Sequence, residues 1–392
     1  MKNNGGAWRW AVLAALLVLA WQALTVQANY AGNWSGLFRT GKLIAVPPAL
    51  AASTYRDASP YGYDGQFYRF LAHDPALRQG TAAFLDAPLL RVRRILVPGA
   101  AWVLAAGQPE WIDAAYVLMI AASVFAGVYW LGALMVRQGR QASLGLLFLI
   151  VPATVASIDR MTIDITLAAL AAGFAFYYLE GRDPELWVVV AAAGLVRETG
   201  LLFAAACVLA SLFRRDFRKS AVWAAAALPA LGWYAFLSWG SPHFPAGADE
   251  MVPTWAFPQP RLGILLRALD PPRYPLPPTL EVIARGLDVL ALAGVMAACV
   301  MAALRLRGIP KDTLRNALAL QMSLLLTMTG KDFWNTSFGY SRPLGPLFVL
   351  LLAGVGGRTG SAVVIASALV DLRLASEIQS QALGVVRWIA GL

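Results

Sequence analysis

Long apolar runs separated by short polar stops set the pattern of this chain. The first run, Trp10 to Ala28, follows Lys2 and Arg9 and has the roughly 20 residues that cross a bilayer. It predicts a first transmembrane helix at residues 8–28. A cleaved signal peptide is the competing reading, because Val26-Gln27-Ala28 loosely matches a small-residue cleavage site. Either way the basic N-terminus stays in the cytoplasm and Asn29 onward lies outside. Residues 29–110 then form a long extracytoplasmic loop. Within it Ile95 to Ala106, interrupted by Pro98 and Gly99, reads as a helix lying at the membrane surface. Trp111 to Val136 crosses inward, Ala142 to Ser157 outward, and Met161 to Leu179 inward again, each stopped by charged residues.

Leu186 to Phe213 breaks this alternation. It starts beside a cytoplasmic turn and ends at Arg214-Arg215-Asp216-Phe217-Arg218-Lys219, the strongest basic cluster in the chain. Basic loops stay inside, so both ends belong there, and two short helices joined at Arg197-Glu198-Thr199-Gly200 satisfy that condition. Arg197 and Glu198 are then expected on the outer side. Ala221 to Trp239 exits, which makes 111–240 the second to seventh helices, and 241–280 is a second outer loop rich in proline. Residues 281–392 hold the C-terminal helices: Glu281 to Leu304, Leu314 to Thr329, Pro343 to Val355, and a last exit at Ser361 to Leu372. The pattern predicts an all-α polytopic membrane protein, residues 1–392 in one integral domain with about 11 crossings.

Composition agrees. The chain is 59% hydrophobic and 14% charged, with a mean hydropathy of +0.60, against about 25% charged for soluble domains. Its charge of +10 fits topology and lipid headgroups and gives no aromatic-interleaved surface for nucleic acid. Cys207 and Cys299 sit in apolar runs and form no disulfide framework. The cytoplasmic loops are all short and the long polar ones all outside. With no glycine-rich strand-to-helix phosphate loop either, chemistry belongs to the outer face and uses something other than a soluble nucleotide.

The segment best suited to chemistry is Tyr61 to Pro75, YGYDGQFYRFLAHDP. Phe67, Phe70 and Leu71 give one apolar helical face and Pro75 ends it. The plain reading makes Asp64 the helix N-cap. The aromatic rings of Tyr61, Tyr63, Phe67 and Tyr68 around it also suit a sugar, and a carboxylate among them can take a hydroxyl proton. This YDGQFY core resembles the first outer loop of the GT-C glycosyltransferases, and is similar to that of the bacterial relatives of the glycosylphosphatidylinositol mannosyltransferases. Arg93 to Pro98 and the Leu-x-Arg-Glu-x-Gly-Leu run at Leu195 to Leu201 share the resemblance. The motif core carries one acidic residue where some relatives carry two, which bears on metal dependence.

The resemblance implies a GT-C-like bundle in a bacterial inner membrane, with its site on the extracytoplasmic face. It implies a polyprenyl-phosphate sugar donor, mannose being the sugar suggested, a hydroxyl on a glycan, lipid or protein as acceptor, and Asp64 as general base. A departing lipid phosphate calls for cations. Arg197 comes first among the outer-side candidates, because charge at a turn dipping into the membrane is expensive, followed by Arg93, Arg94, Lys331 and Arg342. For Arg91, Arg93 and Arg94 binding to headgroups is the plainer role, and for Arg197 a local pair with Glu198. Candidate lining residues are Tyr61, Tyr63, Gln66, Tyr68, His73, Asp74, Asp159, Glu198 and Tyr340, with an ion pair or cap as the ordinary role of Asp159 and Asp164. His73-Asp74 would suit a divalent cation, yet two adjacent residues fall short of a metal-ligand set. Two alternatives stand: a polysaccharide ligase or polymerase working through His243, Arg261 or Arg273 in the 240–279 loop, and a lipid or glycan transporter or flippase.

Overall fold

The computed structural model describes residues 6–239, 264, 267–268, 270, 272–274, 276–308, 312–327, 334–354 and 358–391. Their regular structure is nearly all helical. The chain opens with α1 (Ala7–Asn29) and a short connecting region, where β1 (Thr40–Gly41) pairs in parallel with β2 (Arg56–Asp57). Then come α2 (Gly65–His73), α3 (Pro88–Arg93), α4 (Leu96–Leu104) and the long α5 (Pro109–Arg137). A 3-10 stretch at Ala142–Ile150 leads into α6 (Pro152–Arg160), followed by α7 (Asp164–Glu180), α8 (Asp183–Val196) and α9 (Leu201–Phe213). The rest is α10 (Phe217–Ala225), α11 (Leu228–Trp239), α12 (Pro278–Gly308), α13 (Thr313–Thr327), α14 (Ser337–Ser341), α15 (Gly345–Ala353) and α16 (Arg358–Ala390).

α5 is the central post, with α1, α4 and α7 against it and α12 packed on α16. Ile120, Val124, Val128 and Leu131 of α5 are fully buried, whereas Leu13, Leu16 and Leu17 of α1 are exposed. An apolar outer surface of this kind suits lipid as solvent. By length and composition three helices can cross a membrane, α1, α5 and α12, or up to five if each of two bent pairs counts as one span.

Several expected crossings take a different form. Ala142 to Ser157 is not one helix: the 3-10 stretch and α6 meet at 64°, where Pro152 removes a backbone donor. Ala221 to Trp239 bends by 48° between α10 and α11, just before Pro229. Ser361 to Leu372 belongs to the 33-residue α16, and Pro343 to Val355 shrinks to the nine-residue α15. Ile95 to Ala106 yields α4, which buries Val97, Pro98 and Ala101 against the bundle and exposes Val103 and Leu104. Most of the proline-rich 241–280 segment, with His243 and Arg261, lies outside the described residues.

Leu186 to Phe213 does divide in two, at a 3-10 turn over Glu198–Gly200. The turn is tight: a Cβ on Gly200 would stand 2.0 Å from the Ala193 carbonyl oxygen. Lys219 pairs with Asp183 at 2.8 Å, and Trp187 Nε1 donates to Val222 O at 3.0 Å. The far end of this run therefore returns beside its beginning.

Polar contacts sort to the two ends of the bundle. At one end Arg137 pairs with Glu180, Gln138 donates to Ala353 O at 2.6 Å, and Arg305 donates to Gly354 O. The Asp183–Lys219 pair, beside a cavity of about 440 Å³ between Trp187 and Trp223, follows Glu180 closely in the chain and lies at this end too. At the other end Asn29 and Tyr30 bond to Gln381, and a cluster of arginines and carboxylates gathers there.

Candidate functional site

α2 is built as its pattern demands: Phe67, Phe70 and Leu71 bury in a small core with Leu50, Leu85 and Val92. Its first residue is seated against α6, for a Cβ on Gly65 would lie 2.2 Å from the Arg160 carbonyl oxygen. Asp64 occupies the cap position, but its side chain caps nothing. Instead Oδ1 accepts from Arg91 Nη2 at 2.7 Å and Oδ2 from Arg342 Nη1 at 2.6 Å. One partner lies on α3 and the other follows α14, 278 residues away in the chain.

The network spreads from there. Arg91 also grips Asp86, through Nε at 2.8 Å and Nη2 at 2.8 Å, and donates to the Tyr68 hydroxyl at 3.3 Å. Arg94 donates to the same hydroxyl at 3.0 Å and to Glu198 Oε1 at 2.5 Å. Arg197 pairs with Asp164 at the start of α7, whose other oxygen lies 3.7 Å from Arg342 Nη1. Arg91, Arg94, Arg197 and Asp164 are all buried. Four guanidiniums thus interleave with Asp64, Asp86, Asp164 and Glu198, drawn together from α2, α3, α7, the α8–α9 turn and the segment after α14. Asp164 Oδ2 and Arg197 Nε remain buried with no hydrogen-bond partner among the described residues.

A ring wall adjoins the cluster. Arg342 lies 5.0 Å over Tyr63, and Arg160 lies 4.7 Å over Phe338 and 5.7 Å over Tyr63. Burial alone would raise the Asp64 carboxyl, but the Arg342 and Arg91 guanidiniums outweigh it and hold the group well below the usual carboxylate range. Asp64 in turn holds Arg91 firmly charged against burial, which works in the opposite direction.

The candidates from the sequence fall into three places. Asp64, Tyr63, Tyr68, Arg94, Arg197, Glu198 and Arg342 meet in the cluster. The expected local Arg197–Glu198 pair is absent, because each finds a partner in another element. Headgroup duty for Arg91 and Arg94 gives way likewise, since both are buried in ion pairs, while Arg93 lies 5.6 Å over Tyr234 at the edge.

Others have structural work nearby. Gln66 pins the β1 region, accepting from Gly41 N at 3.1 Å and donating to Tyr61 O at 2.9 Å. Asp74 accepts from the backbone N–H groups of Arg78 and Gln79, each at 2.8 Å. His73 meets Asp113 at 3.1 Å, beside the buried Arg69, and Tyr61 is 71% exposed. Asp159 lies 2.8 Å from its neighbour Arg160. Lys331 is outside the described residues.

Tyr340 belongs elsewhere: it stacks on Trp334 at 5.7 Å, beside a second buried knot. There Asp288 of α12 binds Arg267 at 3.0 Å, Arg373 at 2.8 Å and the Tyr274 hydroxyl at 2.6 Å. Sequence reading missed this knot, although a lone Asp within an apolar helix is itself a signal. It also missed Asp86, the place of Arg160 over Tyr63 and Phe338, and the Arg69–Asp113 pair, whose members lie 44 residues apart.

Among the described residues no group of three or more His, Cys, Asp or Glu side chains is placed as a metal-ligand set. Chemically, the cluster offers an ionised carboxylate beside several close cations, suited to a substrate that brings an anionic group next to a reacting hydroxyl. Comparison with protein-family models, with curated proteins and with solved structures finds no match.

Proposed function

We propose that this chain is an extracytoplasmic glycosyltransferase of GT-C type, a membrane bundle of about 11 crossings. It moves a sugar, mannose being the first to try, from a polyprenyl-phosphate donor to a hydroxyl of a glycan, lipid or protein acceptor. The observation that carries this reading is the convergence of Arg342, Arg94 and Arg197 on the neighbourhood of Asp64. A phosphate between such cations is bound by charge-assisted hydrogen bonds, and its negative charge grows as the sugar leaves.

Depth supports a lipid donor. α15, α8 and α7 link the opposite polar end with Arg342, Arg197 and Asp164. At nine, 14 and 17 residues they rise only about 14, 21 and 26 Å, against a hydrocarbon core of about 30 Å. These lengths support a cluster below one membrane surface, within reach of a phosphate whose tail stays in lipid.

In the reaction, the acceptor oxygen attacks the anomeric carbon and its proton passes to Asp64. The carbon–oxygen bond to phosphate breaks, its electron pair stays with the phosphate oxygen, and lipid phosphate departs against Arg342 and Arg197. Tyr63 and Phe338 offer rings to the sugar.

The test is transfer or hydrolysis by purified protein across a panel of polyprenyl-phosphate sugars, wild type beside Asp64→Asn. Loss of about 10²–10⁴-fold in the mutant is expected of a general base; full activity in folded Asp64→Asn would remove Asp64 from that role. The Asp288 knot between α12 and α16 favours a second reading, a lipid or glycan transporter, because ionisable groups inside the bilayer mark transport paths. Movement of a labelled lipid across proteoliposomes that persists in Asp64→Asn and fails in Asp288→Asn would select it.

A further inference from the structure

Each Asp64 oxygen accepts from a guanidinium, and two cations so close make the carboxylate a poor proton acceptor until one lets go. The two arginines holding it are not equally fixed. Arg91 has Asp86 and the Tyr68 hydroxyl besides Asp64. Arg342 is tethered by Nε to Phe338 O at 3.0 Å, while its Nη1 end stands 2.6 Å from Asp64 Oδ2 and 3.7 Å from Asp164 Oδ2. That second oxygen is buried and has no hydrogen-bond partner among the described residues. A swing of about 1 Å brings Nη1 within charge-assisted bonding distance of it.

We propose that Arg342 is a latch on Asp64: it clamps the carboxylate while the site is empty, and turns to the donor phosphate and Asp164 when a lipid phosphate enters, uncovering Asp64 Oδ2. Arg91 stays on Oδ1 and fixes the orientation of the carboxylate. Asp164 is then a positioning residue that receives the guanidinium. The inference rests on the lipid-phosphate reading above and names the event that makes its base available. Arg91, Arg342 and Tyr63 face Asp64; Tyr68 touches Arg91, Arg160 lies over Tyr63, and Asp164 lies beside Arg342.

The test is difference infrared spectroscopy of the full-length protein in nanodiscs, with farnesyl phosphate as probe and binding followed in parallel by calorimetry. The Asp64 carboxylate stretch is assigned by subtracting Asp64→Asn spectra. Farnesyl phosphate should shift that band in the wild type, and the shift should shrink in Asp164→Asn, which lacks the receiving carboxylate. Arg342→Gln should show a displaced band before any probe is added and bind at least about tenfold more weakly. If that variant does not fold, wild type against Asp164→Asn decides. Binding with an unmoved Asp64 band overturns the latch and leaves the phosphate site standing. No binding by folded wild type removes the phosphate site, and the latch with it.

Discussion

Replacing Arg197 with Met would remove the guanidinium that neutralises Asp164, a carboxylate only 1% exposed. Breaking a buried ion pair from one side costs about 3–5 kcal/mol, because the partner keeps its desolvation penalty. Here Asp164 retains Arg342 at 3.7 Å, worth about 4 kcal/mol of attraction at an effective dielectric constant near 20, partly spent because Arg342 also serves Asp64. The expected cost is therefore at the low end, about 2–3 kcal/mol, or a fall of about 4–6 °C in the melting midpoint. Asp164→Asn should cost a similar amount by stranding Arg197, and the double variant should cost far less than the two combined. The coupling energy should exceed about 1.5 kcal/mol. Cys207 is buried and Cys299 half-buried, and both are free, so a thiol-reactive dye in detergent reports the melt. Simple additivity of the two changes, or an Arg197→Met midpoint equal to wild type, would refute the pairing on which the cluster is built.

Three other outcomes are open to measurement. Asp64 has a native pKa held below its unfolded value of about 4, since Arg342 and Arg91 outweigh burial. Its stabilising contribution is thus complete above about pH 4 and is lost as pH falls through the depressed native value; melting midpoints should fall more steeply in acid for wild type than for Asp64→Asn, and parallel curves would count against the double clamp. Gly65→Ala drives a Cβ to 2.2 Å from the Arg160 carbonyl oxygen and should destabilise by about 1–3 kcal/mol, whereas Gly232→Ala, inside α11 with nothing within 4 Å, should stabilise by about 0.5–1 kcal/mol. In a background without native cysteines, Tyr61→Cys should react with an impermeant maleimide on intact cells and Arg218→Cys only after permeabilisation; labelling of both from outside would put the two ends of the bundle on one side of the membrane.

Legibility in the sequence followed the range of the interaction. The helix of the aromatic motif and its stop at Pro75 are local, carried by Phe67, Phe70 and Leu71. The division of Leu186 to Phe213 was legible because charge at both ends constrained a single run. The 3-10 entry to α6 and the 33-residue length of α16 were not, since apolar runs of similar composition serve straight, bent and continuous helices alike. The partners of Asp64 were hidden for a different reason. Capping needs only neighbours two or three residues on, whereas Arg91 and Arg342 lie 27 and 278 residues away, and no periodicity encodes such pairs. Arg91 and Arg94 follow from the same limit: beside an apolar segment, an arginine run is indistinguishable from a headgroup anchor until the fold supplies buried carboxylates. What the sequence does carry is the cost. Arg91, Arg94, Arg197 and Asp164 cannot be buried singly beside lipid, so each buried charge implies a partner. Asp288, the one aspartate of its apolar helix, called for partners by the same reasoning, and the fold supplies Arg267 and Arg373. Among the described residues, the system containing Asp64 leaves a carboxylate oxygen at Asp164 and a guanidinium nitrogen at Arg197 buried without hydrogen bonds, whereas both Asp288 oxygens are bonded. The unused donor at Arg197 is what an incoming anion would take up.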